Sequence, residues 1–214
     1  MTDTDALIRA IVEQKPTATL AAMARNLLEA IIIAPDKYPA DIHPLGFVRC
    51  KVSKYYGYTL RLHVWPPGQR ATQDPAWLVH DHVFSLQSFV VFGLVHNRTY
   101  KVDERPDGAK QVFYVEYSQG RSTLVPTQIN VNVVMTREEE VRAGSLYSVP
   151  LGGFHETIVQ ADHSALTLAV TDEPRPDPPP QVIGECQVTE RLHYDRIVVE
   201  PDQFVGMIKD VCRN

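Results

Sequence analysis

The stretch Tyr58-Thr59-Leu60-Arg61-Leu62-His63-Val64-Trp65-Pro66-Pro67-Gly68 decides the class of fold. Leu60, Leu62 and Val64 alternate with Thr59, Arg61 and His63, so an extended chain there has one apolar and one polar face. Lys54-Tyr55-Tyr56-Gly57, just before it, predicts a hairpin turn. Further alternating or apolar runs lie at residues 89–95, 111–117, 129–135, 146–149, 157–160 and 165–171. Short strands at this spacing, separated by polar turns, predict an all-β sandwich or barrel.

Two helices are expected ahead of the strands. Leu7, Ile8, Ile11 and Val12 recur at helical spacing behind Thr4 and Asp5, which can cap the first turn, and the run stops near Pro16. From Thr19 to Ile33 the apolar residues Leu20, Met23, Leu27, Leu28 and Ile31 form one stripe, ended by Pro35. Residues 172–180 contain Pro174, Pro176, Pro178, Pro179 and Pro180, which predict an extended surface arm. Arg196 to Val199 is expected as one more strand and Gln203 to Val211 as a short closing helix. The expected organisation is one domain, with a helical segment over 1–42, a barrel over 43–172, and arm, strand and helix over 173–214.

With 214 residues, 44% of them hydrophobic, the chain can bury one substantial core. A formal charge of −5 and the lack of a long basic run argue against a nucleic-acid binder. No apolar run reaches the roughly 18 residues that span a bilayer, and the N-terminus lacks a secretory pattern, so a soluble, cytoplasmic protein is expected. Cys50, Cys186 and Cys212 are too few and too scattered for a disulfide framework and are expected as free thiols. The expected partner is a small molecule, and the chain a monomer or homodimer.

Two segments carry chemistry. In Val79-His80-Asp81-His82 the two histidines are two residues apart on an expected strand end, so both side chains leave one face and can share an ion. In Gly144-Ser145-Leu146-Tyr147-Ser148-Val149-Pro150-Leu151-Gly152-Gly153-Phe154-His155, glycine and proline shape a tight turn that delivers one further histidine. A lone His-x-His is weak evidence. Joined to the Gly, Pro, Gly, His series within an all-β pattern, it becomes fairly strong.

These segments resemble the two motifs of the cupins, whose barrel holds a metal at its mouth through a His-x-His pair and a later histidine. The resemblance implies a jelly-roll-like cupin barrel with His80, His82 and His155 as ligands. The first cupin motif continues with a glutamate ligand and then a glycine. The glycine is Gly93, but the glutamate position falls on Leu86 or Gln87, neither a carboxylate, and Gln87 is carried as a candidate catalytic residue. The second motif fits Gly144, Pro150, Gly152 and His155, while a final asparagine expected near Val159 is missing.

A three-histidine cupin without the glutamate resembles the cysteine dioxygenase group of thiol dioxygenases. The run Tyr58 to Gly68 leading into His80-Asp81-His82 is similar to that group, and the resemblance covers roughly residues 43–172. It implies a ferrous ion, with nickel, zinc or copper as replacements, and O₂ as co-substrate. It also implies an early-strand arginine that holds a substrate carboxylate, here Arg49, or Arg61 if the strand faces the other way. Three neutral imidazoles leave the ion with more net charge than a carboxylate-containing site does, which favours an anionic, chelating substrate.

The departures matter equally. The Ser-His-Tyr relay of that group is replaced by Thr167, Ala169 and Thr171, and the cross-linking cysteine by Leu86 or Gln87. The loop between Trp65 and His80 is longer than usual, with Arg70, Asp74 and Trp77 available to reshape the pocket. His63, Phe89, Val91 and Tyr147 are candidates for the cavity wall, although apolar residues on barrel strands are core by default. Arg49 can equally serve a structural ion pair. Glu156 is expected to point away from His155 to the surface, Glu138-Glu139-Glu140 to form a solvated turn, and Cys50 to point away from Arg49. His43, His96, His163 and His193 are expected to do structural or surface work. The function expected from all this is a mononuclear non-haem iron oxygenase. A Lewis-acid isomerase or lyase, and a ligand-binding cupin without turnover, stay open as alternatives.

Overall fold

The computed structural model describes residues 2–68, 70, 72–118, 120–175 and 177–213; Pro176 of the proline-rich segment lies outside them. Helix α1 (Asp3–Val12) begins at Thr2, not at Thr4 or Asp5. Asp5 sits at the third helical position, where its carboxylate reaches back to the Thr2 N–H while the Thr2 hydroxyl accepts the Asp5 N–H. Helix α2 (Thr17–Ile33) follows and ends before Pro35.

The strands are β1 (Ala40–Ile42), β2 (Val48–Tyr55), β3 (Tyr58–Trp65), β4 (Leu86–Glu104), β5 (Lys110–Ser118), β6 (Arg121–Arg142), β7 (Leu146–Val149), β8 (Phe154–Ile158), β9 (Ala165–Thr171), β10 (Gln181–Glu185), β11 (Leu192–Asp195) and β12 (Ile197–Val199). Helix α3 (Pro201–Arg213) closes the chain. The hairpin predicted at Tyr56-Gly57 joins β2 to β3, with φ of 43° and 83° at its two turn residues, the primed geometry that suits strand twist.

All pairings are antiparallel. One layer runs β12-β1-β2-β3-β9-β4 with β7 also on β4, and the other runs β10-β5-β6-β4 with β8 on β4 and β11 on β6. Strand β4 serves both: residues 86–93 pair with β9 and 94–104 with β6. Gly93 stands at the crossing with φ 74°, and a Cβ there would lie 2.0 Å from the Ser164 carbonyl oxygen. His80 bridges His155 on β8 and Val182 on β10, closing the second layer into a ring. The described residues form an antiparallel β-barrel with two α-helices before it and one after it.

The alternation at residues 59–64 is set with its apolar side outward and its polar side inward. The apolar members Leu60, Leu62 and Val64 face outward, joining Leu166, Leu168 and Val170 of β9 and Phe89 of β4 beneath Leu7, Ile8 and Ile11 of α1, Leu27 and Ile31 of α2, and Phe204 and Ile208 of α3. The polar members Arg61 and His63, with Trp65, face the barrel interior. The three helices thus roof one layer, which frees its other face to carry chemistry.

Several boundaries differ from expectation. Strands β4 and β6 are far longer than the apolar runs that marked them, because their outer halves pair with each other through polar and charged residues that hydrophobic periodicity does not register. Strand β8 begins early enough to contain His155. After the prolines the chain returns to the sheets through β10, β11 and β12. Among the described residues, no helix is long and apolar enough to cross a membrane.

Candidate metal and substrate site

His80, His82 and His155 converge, with one ligand atom from each lying within 4.8 Å of the others. Two backbone hydrogen bonds lock the pair His80 and His155: His80 N–H donates to the His155 carbonyl at 3.0 Å and His155 N–H to the His80 carbonyl at 2.8 Å. Hydrogen bonds also fix ring orientation. The His80 Nδ1–H donates to the Leu78 carbonyl at 2.7 Å, which leaves the Nε2 lone pair free. His155 Nδ1 lies 3.3 Å from Asn97 Oδ1, whose amide group in turn donates to Glu139 at 3.2 Å, so His155 also presents Nε2.

The donor set suits a divalent metal. His155 Nε2 and His82 Nε2 stand 3.1 Å apart. Two nitrogens each about 2.1 Å from a common ion would be separated by roughly 3.0–3.4 Å. Burial holds all three imidazoles below the ordinary histidine pKa, with mutual repulsion helping at His82 and His155, and a neutral imidazole is the ligating form. Among the described residues no carboxylate joins the group. Asp81 turns the other way: its carboxylate accepts the Gln181 N–H at 2.5 Å, tying the His-Asp-His segment to β10, and burial pushes its pKa up to about 6.

The histidines open onto a cavity of about 290 Å³, at the small end of ligand pockets. A hollow of about 360 Å³ between α1, α2 and Tyr38 is larger but gathers no comparable chemistry. Arg49, Arg61, His63 and Tyr147 border the histidine cavity. Arg49 is an ion pair, its Nε and Nη2 donating to the two oxygens of Asp41 at 2.9 and 3.1 Å. Arg61 has no carboxylate partner among the described residues; it donates to the Thr171 hydroxyl and lies 5.1 Å over the Phe84 ring, with burial first and Arg49 second lowering its pKa to about 10. Phe84 in turn stacks on His82 at 4.8 Å, so cation, ring and metal ligand form one column. Burial, then Arg61 and Arg49, lower the His63 pKa to about 3.

Three candidates are not brought here: Phe89, Gln87 and Val91, the last of which packs against the helix-covered core. Phe89 sits in the helix-covered core, 1% exposed, because its position on β4 points opposite to Leu86 and Ser88. Gln87 shares that outward phase and is absent from the cavity wall; Leu86 takes the wall position. The long loop does not reshape the pocket through Arg70 or Trp77 either. Arg70 donates to the carbonyls of Pro66, Val159, Gln160 and His163, and Trp77 packs on Phe113 and against Gly184. Glu156 points away from the metal group, yet it is 7% exposed and accepts hydrogen bonds from Arg98 and Tyr100. Glu138, Glu139 and Glu140 lie on β6 opposite Arg98, Asn97 and His96, not in a turn.

Other residues are gained. His43 borders the cavity, stacked on Phe47 at 4.5 Å, and its Nδ1 accepts the Leu45 N–H, so its proton sits on Nε2. Burial, with Arg49 and His80 contributing, keeps it neutral. Tyr117 and Arg196 come from β5 and the β11–β12 connection. Neither Asn97 nor Arg196 carried a motif. Thr167, Ala169 and Thr171 do face the interior, as the alternation of β9 requires, and Cys50 points into the helix-covered core with its pKa pushed up to about 12 by burial.

No protein-family model and no curated protein matches the chain. Several solved structures are similar to it, at 13–18% identity. They include a cupin-2 domain protein from Rhodospirillum rubrum (14% identity, TM-score 0.36, covering 64% of each chain) and a Bacillus subtilis oxalate decarboxylase variant (14%, TM-score 0.37, 63% of this chain and 27% of that one). A polyketide cyclase from Streptomyces resistomycificus is similar at 18% identity and TM-score 0.39, covering 71% of this chain and 81% of that one. The chain spans less than two thirds of the length of the first two. The barrel assignment rests on the strand pairings above, and those activities are said of those proteins alone.

Proposed function

We propose that the chain is a mononuclear non-haem iron cupin oxygenase acting on a small anionic or chelating substrate. One observation carries this reading: three neutral imidazoles, with no carboxylate among the described residues, open onto a cavity bordered by Arg49, Arg61 and Arg196 and by no acidic side chain. A ferrous ion, when bound, would supply the one-electron chemistry that activates O₂ and a Lewis-acid centre for a chelating substrate. His80, His82 and His155 would hold it, with Leu78 and Asn97 fixing two of the rings. Arg61 binds the substrate anion, since the Arg49 fork is already engaged by Asp41. Phe47, Trp65, Phe84 and Leu86 exclude water from the reacting groups. His43 offers its Nε2–H and Tyr147 its hydroxyl as hydrogen-bond donors.

A second reading, a Lewis-acid lyase or isomerase, is favoured by those same proton-bearing groups and by the absence of a proton relay at Thr167, Ala169 and Thr171. An oxygen-electrode screen of ferrous protein with small carboxylates and chelating acids separates the two. Oxygen consumption coupled to substrate loss supports the oxygenase; turnover under strict anaerobiosis supports the Lewis-acid enzyme and overturns the oxygenase.

A further inference from the structure

The cavity holds more positive charge than its own residues balance. Of its three arginines, Arg49 is neutralised by Asp41 through a two-pronged ion pair. Arg61 and Arg196 have no carboxylate partner among the described residues, and no Asp or Glu borders the cavity. Both are backed by an aromatic face instead, Arg61 over Phe84 at 5.1 Å and Arg196 over Tyr117 at 5.4 Å. A guanidinium stacked in this way keeps its N–H edge free for an anion.

Arg196 is also under-bonded. Its Nε is buried without a partner, and its Nη2 has only a 3.4 Å contact to the Ser122 hydroxyl. Its backbone is pinned by an N–H bond to the Gly120 carbonyl at 2.8 Å, so the side chain is presented from a fixed point. Buried donors in native proteins are nearly always satisfied, by protein, water or ligand. The two guanidiniums without a carboxylate partner come from different walls, Arg61 from β3, where it also donates to the Thr171 hydroxyl, and Arg196 from the connection between β11 and β12. Two separate planar forks match two separate carboxylates better than they match one compact phosphate.

We infer that the cavity takes a small dicarboxylate, with Arg61 and Arg196 each holding one carboxylate. This rests on the reading that the cavity beside the three histidines is the substrate site. Arg196 is then a specificity-determining residue, contributed by the chain that follows the proline-rich segment.

Isothermal titration of the full chain, freed of metal, at pH 7.5 with succinate, butyrate and inorganic phosphate tests this. Succinate should bind at least about tenfold more tightly than butyrate. Arg196→Gln should abolish that advantage while changing the affinity for butyrate, whose one carboxylate Arg61 can hold, less than about twofold; Arg61→Gln should abolish the advantage and weaken both ligands. If Arg196→Gln fails to melt cooperatively, Arg196→Lys, which keeps the charge but not the fork, should weaken succinate selectively. Equal affinities in the unsubstituted protein, an advantage that survives both substitutions, or phosphate outcompeting succinate would each overturn the inference. Because the titration needs no metal, its failure leaves the three-histidine site standing. Loss of the metal site with the succinate preference intact would sink the oxygenase reading alone.

Discussion

His80 and His155, far apart in the sequence, are joined by a reciprocal pair of backbone hydrogen bonds at 3.0 and 2.8 Å. The bridge that closes the second layer of the barrel is therefore also the bridge that sets two metal ligands side by side. Fold closure and ligand placement rest on the same two hydrogen bonds, and these preorganise the pair.

That preorganisation extends outward through Asn97. Its side-chain oxygen faces His155 Nδ1 and its amide is held by Glu139. Asn97→Ala should weaken divalent-metal affinity by about 10- to 100-fold, as removal of such outer partners does elsewhere. A competition titration against a chelator measures it, and an unchanged affinity would show that His155 orients itself.

Arg61 and Arg49 should separate by function. For a carboxylate substrate found in the oxygen screen, Arg61→Ala should lower kcat/KM by about 2–4 kcal/mol in transition-state terms. Arg49→Ala should act mainly on stability, because it strands Asp41. Free cysteine should be a poor substrate, since Thr167, Ala169 and Thr171 offer no relay. Efficient cysteine oxidation would show the relay to be dispensable.

His63 should make the metal-free protein acid-sensitive. Its pKa is about 3 in the fold against an ordinary 6.5, so below pH 6.5 the unfolded chain takes up a proton that the folded chain refuses. The stability tied to its neutral form is complete above pH 6.5 and is lost as pH falls from there toward 3. Across that window His63→Gln should flatten the stability slope by up to about 1.4 kcal/mol per pH unit. Denaturant titrations at pH 7.5, 6 and 5 read this slope, and identical slopes in both proteins would rule His63 out.

Phe204 on α3 is 1% exposed in the core shared with α1, β3 and β9. Phe204→Ala should cost about 3–5 kcal/mol in urea unfolding. A near-neutral effect would mean that α3 is only loosely docked on the barrel.

Much of the fold was legible because β2, β3, β7 and β9 carry clean alternation or compact apolar runs, and the His80, His82 and His155 grouping because motif spacing survives in sequence. The sense of the alternation was not legible. Period two states that two faces differ, and only the docking of three helices decided that the apolar face of β3 points outward. The same ambiguity misplaced Phe89 and Gln87, which share a phase on β4 opposite to Leu86. Asn97, His43 and Arg196 were out of reach because their roles arise from contacts across layers, and Arg196 lies beyond the segment that resembles any motif.

The central claim is the three-histidine metal group, and metal content per chain tests it most directly. Protein purified without a histidine tag should carry about one divalent ion, most readily iron when fresh. The His80→Ala, His82→Ala double variant should lose that ion yet still unfold cooperatively, its melting temperature reduced only by the binding contribution. Full metal content in a folded double variant would contradict the account.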